Sequence, residues 1–109
     1  MKVEEALQQA INAHKMGELN KADSLYTAII NKIPDHPDAN HNLSLIAIQY
    51  GKFELALSLV GKAIVKHPEE KQFWITLINI FHHLKKFESC LDAIDRANTL
   101  QHQLGIVEK

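Results

Sequence analysis

Apolar positions along this chain recur at intervals of three to four residues. Leu43, Ala47 and Tyr50 form one such series, and Phe53, Ala56, Leu57 and Val60 form the next. This spacing puts side chains on one face of an α-helix. No stretch sustains a period of two, so strands are not expected. Turn signals interrupt the helical runs. Met16-Gly17, Tyr50-Gly51 and Leu84-Lys85 divide one helix from the next, and Ile33-Pro34-Asp35 and His67-Pro68-Glu69 close longer units. Proline cannot continue a helix and drives the residue before it out of the helical region. The pattern predicts helices near 3–16, 19–32, 37–50, 53–66, 71–84 and 87–100.

The units repeat. Ala22, Ala56 and Cys90 stand 34 residues apart. So do Gly17, Gly51 and Lys85; Leu19, Phe53 and Phe87; Tyr26, Val60 and Ile94; Ile29, Ala63 and Ala97; and Pro34, Pro68 and His102. No insertion is needed to keep the register. A fixed period of this length marks a stacked array of helical hairpins. The units run over 3–36, 37–70 and 71–102, with 103–109 as a tail.

These columns resemble the tetratricopeptide repeat, whose pattern is W-x2-L-G-x2-Y, then A-x3-F, then P. The third unit supplies Trp74, Leu77 and Phe81, then Cys90 and Ile94. The second supplies Leu43, Ala56, Val60 and Pro68, and the first Ala22, Tyr26 and Pro34. The resemblance covers about residues 3–102. It implies an all-α fold of three units and six helices, a right-handed superhelical array of antiparallel hairpins. Small residues (Ala10, Ser44, Ala22, Ala56, Ala63, Cys90 and Ala97) are expected where helices approach closely. Ile78 stands in the column of Ala10 and Ser44, so the third unit is expected to be splayed. Cys90 is expected to be a small structural hydrophobe.

The resemblance also implies that the first helix of each unit lines a concave, peptide-binding face. After the core columns are removed, a second stripe remains on these helices at i, i+4, i+7: Leu7, Ile11 and His14; His41, Leu45 and Ile48; Ile75, Asn79 and His82. With Asn42 and Gln49 these form the expected groove, apolar along its floor and edged by histidines and amides. Repeats of this family that grip a terminal carboxylate carry cations and asparagines where this chain has Leu7, Ile11, Asn42, Gln72 and Thr76. Only Asn42 agrees, and neutral groups lack charge-assisted bonds to a carboxylate. The segment Ala39-Asn40-His41-Asn42-Leu43 resembles repeats of bacterial transferases similar to O-GlcNAc transferase. The column Gln8, Asn42, Thr76 matches their amide ladder in part.

Composition removes several alternatives. The formal net charge is -1, with 12 basic and 13 acidic residues, so the basic face needed for nucleic acid is missing. Cys90 is the only cysteine, which precludes an internal disulfide and fits a reducing, cytoplasmic setting. Glu4 and Glu5 occupy what a signal peptide would make apolar, and no apolar run reaches the ~20 residues of a membrane span. The histidines lack ligand spacing, so no metal is expected. Gly17, Gly51, Gly61 and Gly105 stand alone, with no phosphate loop, nucleophile elbow or other catalytic motif. No cofactor is expected.

The sequence therefore predicts a non-enzymatic protein–protein interaction module that binds a partner's peptide or helix. Two alternatives stay open. One is an N-terminal regulatory or substrate-recruiting module of a larger glycosyl-, sulfo- or methyltransferase. The other is a self-associating structural protein that pairs through Phe87, Leu91 and Ile94 on the last helix, which only a short tail follows. Neither nucleic acid nor membrane is expected as a partner.

Overall fold

The computed structural model describes residues 1–103, with side chains for 1–100. The expected tail therefore lies outside the described residues except for Gln103. The chain forms α1 (Val3–Lys15), α2 (Leu19–Lys32), α3 (Pro37–Gln49), α4 (Phe53–Lys66), α5 (Lys71–His83) and α6 (Phe87–Gln103), with no strand among the described residues. Each boundary falls within a residue or two of the expected one, except that α6 runs a few residues further.

The turn inside each unit has one chemistry, repeated. Gly17, Gly51 and Lys85 all have positive φ, at 79°, 73° and 59°. Each follows a helix and reverses the chain through paired bonds. Gly17 N–H donates to His14 O and Glu18 N–H to Ala13 O, at 3.1 and 2.9 Å. Gly51 to Ile48 O and Lys52 to Ala47 O repeat the pair at 2.9 and 2.8 Å, and Lys85 to His82 O and Lys86 to Phe81 O at 3.0 and 2.9 Å. These are Schellman caps, which satisfy carbonyls the helix leaves open and favour glycine at the left-handed position. The third unit builds the same cap with a lysine.

The turn between units is held from the following helix. Asn40 Nδ2 donates to Pro34 O at 3.0 Å and to His36 O at 2.8 Å. One repeat later, Trp74 Nε1 donates to Pro68 O at 2.8 Å. Asn40 and Trp74 share a column, so an amide and an indole do the same work at equivalent places. His36 caps α3 by accepting from Ala39 N–H at 3.2 Å, and Pro37 fills the first helical position.

Each helix packs on the next along the chain, and α3 also touches α5. The core forms two clusters, one around Tyr26, Ile29 and Ile46 and one around Val60, Phe73 and Ile80. Ala10, Ala22, Ser44, Ala56 and Ala63 are fully buried, which places the small-residue columns at the close helix approaches. Cys90 is only half-buried, unlike Ala22 and Ala56, and Ile78 is half-buried, unlike Ala10 and Ser44. The Cys90 thiol reaches Ile78 O at 3.7 Å. The larger Ile78 stands against this column, and Cys90 is more open than its alanine counterparts.

The two ends of the array differ. The columns that α3 and α5 pack against the preceding helix hold Ala39, Leu43 and Ile46, and Phe73, Leu77 and Ile80. In α1 the same columns hold Glu5, Gln9 and Asn12, all exposed. At the other end, Phe87, Leu91 and Ile94 are 56%, 65% and 37% exposed, whereas Tyr26 and Val60 in the Ile94 column are 0%.

Candidate functional site

The first helices present two clefts on one face. The larger, about 480 Å³, is lined by Leu45 of α3, by Gln72, Ile75, Thr76, Ile78, Asn79 and His82 of α5, and by Cys90 of α6. The smaller, about 240 Å³, is lined by Ile11, His14 and Lys15 of α1, Tyr26 of α2 and Asn42 of α3. Among the described residues, neither lining contains a carboxylate, and Lys15 is the one fixed charge in either.

The structure distributes the expected groove residues unevenly. Ile11, His14, Asn42, Leu45, Ile75, Asn79 and His82 lie in the clefts. Ile75 is 47% exposed, an uncovered apolar side chain on the cleft wall. Leu7 and Ile48 instead pack against the first and second core clusters. Gln49 is exposed but lines neither cleft. Phe87, Leu91 and Ile94 form the open face of α6 described above.

His41 requires a correction. It was expected on the groove surface but is 6% exposed, beneath it. Its Nε2 lies 2.8 Å from the Thr76 hydroxyl, and its ring sits 4.7 Å from that of Phe73. Leu7 and Ile75 share its column, so periodicity alone gives no sign of burial there. Thr76 and Phe73 of α5 close over it, and the histidine becomes a tie between the second and third units. Burial pushes the imidazole below its ordinary pKa, against smaller upward effects of Asn42, Asp38 and Glu70.

The remaining rings edge the clefts. His14 meets Tyr26 edge-on at 6.1 Å between centroids, and His82 meets Phe87 at 6.0 Å. His83 turns away and stacks on Phe53 at 4.8 Å. Tyr26 is completely buried, yet its hydroxyl has no hydrogen-bond partner. Burial raises its pKa, and the nearby Asn42 side chain lowers it without completing a well-formed bond. Sequence reasoning missed Tyr26, Lys15, Ile78 and Cys90 as cleft residues. Tyr26, Ile78 and Cys90 occupy core columns, and nothing in their spacing marks an opening. Among the described residues, no group of three His, Cys, Asp or Glu side chains is placed to hold a metal ion. No helix among them is long and apolar enough to cross a membrane.

No family model and no curated protein matches the sequence. Solved structures do match in shape. The TPR2B domain of yeast Sti1, in complex with pHsp70, superposes with a TM-score of 0.84 at 22% identity, over 94% of this chain and 82% of that one. The first TPR of Spaghetti (RPAP3), bound to an HSP90 peptide, gives 0.82 at 19% identity, over 92% and 79%. An O-GlcNAc transferase of Thermobaculum terrenum gives 0.82 at 22% identity. That match covers 91% of this chain but 19% of the transferase, so the chain spans about a fifth of that protein. The likeness shows the fold: three stacked tetratricopeptide-repeat hairpins in an all-α solenoid.

Proposed function

We propose that this tetratricopeptide-repeat array is a protein–protein interaction module whose first-helix face binds a segment of a partner protein. The observation that carries the reading is the larger cleft. It exposes Ile75 between Leu45 and Ile78, with Asn79, Gln72 and His82 along its edge. An apolar floor with sparse polar groups suits one apolar anchor of a peptide, held by hydrogen bonds beside it. Structures of the same fold in complex with pHsp70 and with an HSP90 peptide support this use of the scaffold. Catalysis is not part of the reading: Cys90 and His82 both line the larger cleft, but the thiol is directed at Ile78 O, at 3.7 Å.

The experiment is affinity capture from the source cell with the wild-type chain and with Leu45→Glu and Ile75→Glu variants. A partner retained by wild type and lost from both variants, with helicity unchanged, supports the groove. Equal capture by all three sinks it.

The open α6 face favours a second reading, self-association. A head-to-tail stack would set Glu5, Gln9 and Asn12 against Phe87, Leu91 and Ile94, polar on apolar. Any pair would therefore be two-fold, α6 against α6. Aromatic side chains offer only ~150–250 Å² each even when fully exposed, and stable interfaces bury ~800 Å² per partner. The three side chains fall short alone, so a pair must recruit neighbouring surface. Light scattering that gives a dimer mass, reduced by Leu91→Glu, supports this reading, and a monomer at high concentration removes it. The transferase-module reading requires a catalytic domain on the same polypeptide, which the full gene sequence decides.

A further inference from the structure

We infer that a second docking site lies between α4, α5 and α6, and that it takes an apolar side chain of a partner segment, flanked in that segment by lysine or arginine. Among the described residues it shares no lining residue with the groove clefts, so it stands apart from the groove reading.

The site is a cleft of about 270 Å³. Ile64 of α4 and Trp74, Leu77 and Phe81 of α5 supply apolar walls, and Ala93 and Arg96 of α6 close the far side. One repeat earlier the same columns are shut. Asn40 stands in the Trp74 column at 0% exposure, Ala47 in the Phe81 column at 4%, and Leu59 in the Ala93 column at 7%. Trp74 and Phe81 are half-buried instead. Two small residues open the last hairpin. Ala93 replaces the leucine that both earlier hairpins carry (Leu25 and Leu59), and Gly61 stands on α4 where Thr27 stands on α2. A glycine inside a helix weakens it. A Cβ at Gly61 would meet no atom within 4 Å, so packing does not call for the glycine. What it leaves is open space on the cleft wall.

The chemistry of the walls and rim selects the occupant. The Trp74 indole N–H donates to Pro68 O at 2.8 Å, which fixes the ring where it walls the cleft. Trp74 and Arg96 are the only tryptophan and the only arginine of the chain, and both residue types are enriched where binding energy concentrates. The two also line a neighbouring cleft of about 340 Å³ with Asp95 and Leu100. Arg96 Nε pairs with Asp92 Oδ2 at 3.1 Å, so its charge is answered within α6. Across both linings the described side chains carry two carboxylates, Asp92 and Asp95, against that one cation. Glu88 continues them along one exposed stripe of α6, at i, i+4 and i+7. An apolar slot edged by net negative charge fits an apolar anchor with a basic neighbour. The stem of that lysine or arginine lies along Trp74, and its charge meets Asp95.

The test selects random dodecapeptides by display on the intact chain carrying Ile75→Glu, which disables the groove, and discards those that still bind when Gly61→Leu is added. The peptides kept are expected to pair an aliphatic or aromatic residue with a nearby Lys or Arg. Synthetic versions without tryptophan should shift the emission of Trp74 and bind wild type and Ile75→Glu alike. Gly61→Leu is expected to weaken binding about tenfold or more, the worth of one buried apolar side chain, while its unfolding midpoint holds or rises. Ala93→Leu fills the cleft from the other wall and should give the same loss. Asp95→Asn is expected to weaken binding about two- to fivefold, as an exposed ion pair does, and added salt to weaken it as well. Cleft-dependent peptides without a basic residue, or unmoved by Asp95→Asn and salt, overturn the inference. Failure to select any peptide that Gly61→Leu loses also overturns it. So does a dimer that Gly61→Leu dissociates, which would give the cleft to a second copy of the chain. Each of these results leaves the groove reading standing, because the selection is made with the groove disabled.

Discussion

The three equivalent turns set up an experiment with an internal control. Gly51 and Lys85 hold the same left-handed cap one repeat apart, at φ 73° and 59°. A left-handed residue with a Cβ costs ~1–2 kcal/mol. Glycine avoids that but loses more backbone freedom on folding, an opposing ~0.5–1 kcal/mol. The difference leaves glycine ahead by about 1 kcal/mol at either turn. Sterics add nothing at Gly51, where a Cβ would meet no atom within 4 Å. Gly51→Ala is therefore expected to destabilise by about 1 kcal/mol, and Lys85→Gly to stabilise by about the same amount. Urea unfolding reads both, and a change of this size moves the thermal midpoint by ~4–8 °C in a domain of this scale. Repeat arrays unfold unit by unit, so amide exchange should place the Lys85→Gly gain in α5 and α6. A neutral Gly51→Ala, or a Lys85→Gly that destabilises, would refute the conformational account of these caps.

Four further outcomes follow from the packing. Gly61 lies within α4, where a Cβ would touch nothing within 4 Å, so Gly61→Ala should stabilise by about 0.5–1 kcal/mol in the same urea assay. Phe73 is buried against the second cluster, and Phe73→Ala should cost ~3–5 kcal/mol, seen as a lowered denaturation midpoint. His41 has a depressed folded pKa. Below its unfolded value of ~6.5 the unfolded chain takes up a proton that the fold resists, so stability is full above that pH and falls as pH drops toward the folded pKa. His41→Gln should flatten that slope, and an unchanged slope would assign it to the other histidines. Trp74→Phe removes the bond to Pro68 O and should cost ~1 kcal/mol or more, with faster amide exchange at the start of α5.

Most of the fold was legible because its signals are local and repeated. The 34-residue columns placed the caps at Gly17, Gly51 and Lys85 and the small residues at the close approaches. Tertiary effects were not legible in that way. Leu7, His41 and Ile75 share a column, yet one packs on the core, one is buried under Thr76 and Phe73, and one is open. What decides among them is the neighbouring helix, and a period of 34 carries no record of its side chains. The Trp74 and Asn40 bonds to proline carbonyls show the same limit: the column is regular, but the partners appear only once the turn is folded. Tyr26 read as a core aromatic, which it is; that its hydroxyl lacks a partner depends on what α1 and α3 bring beside it.

The central claim is that the face of α1, α3 and α5 is the binding surface. Its most direct test is backbone NMR of the wild-type chain titrated with a captured partner segment or a display-selected peptide. Shifts concentrated at Leu45, Ile75, Asn79 and His82, and abolished in Ile75→Glu, are the expected result. Shifts confined to the exposed faces of α4 and α6, with the cleft residues unmoved, would contradict it.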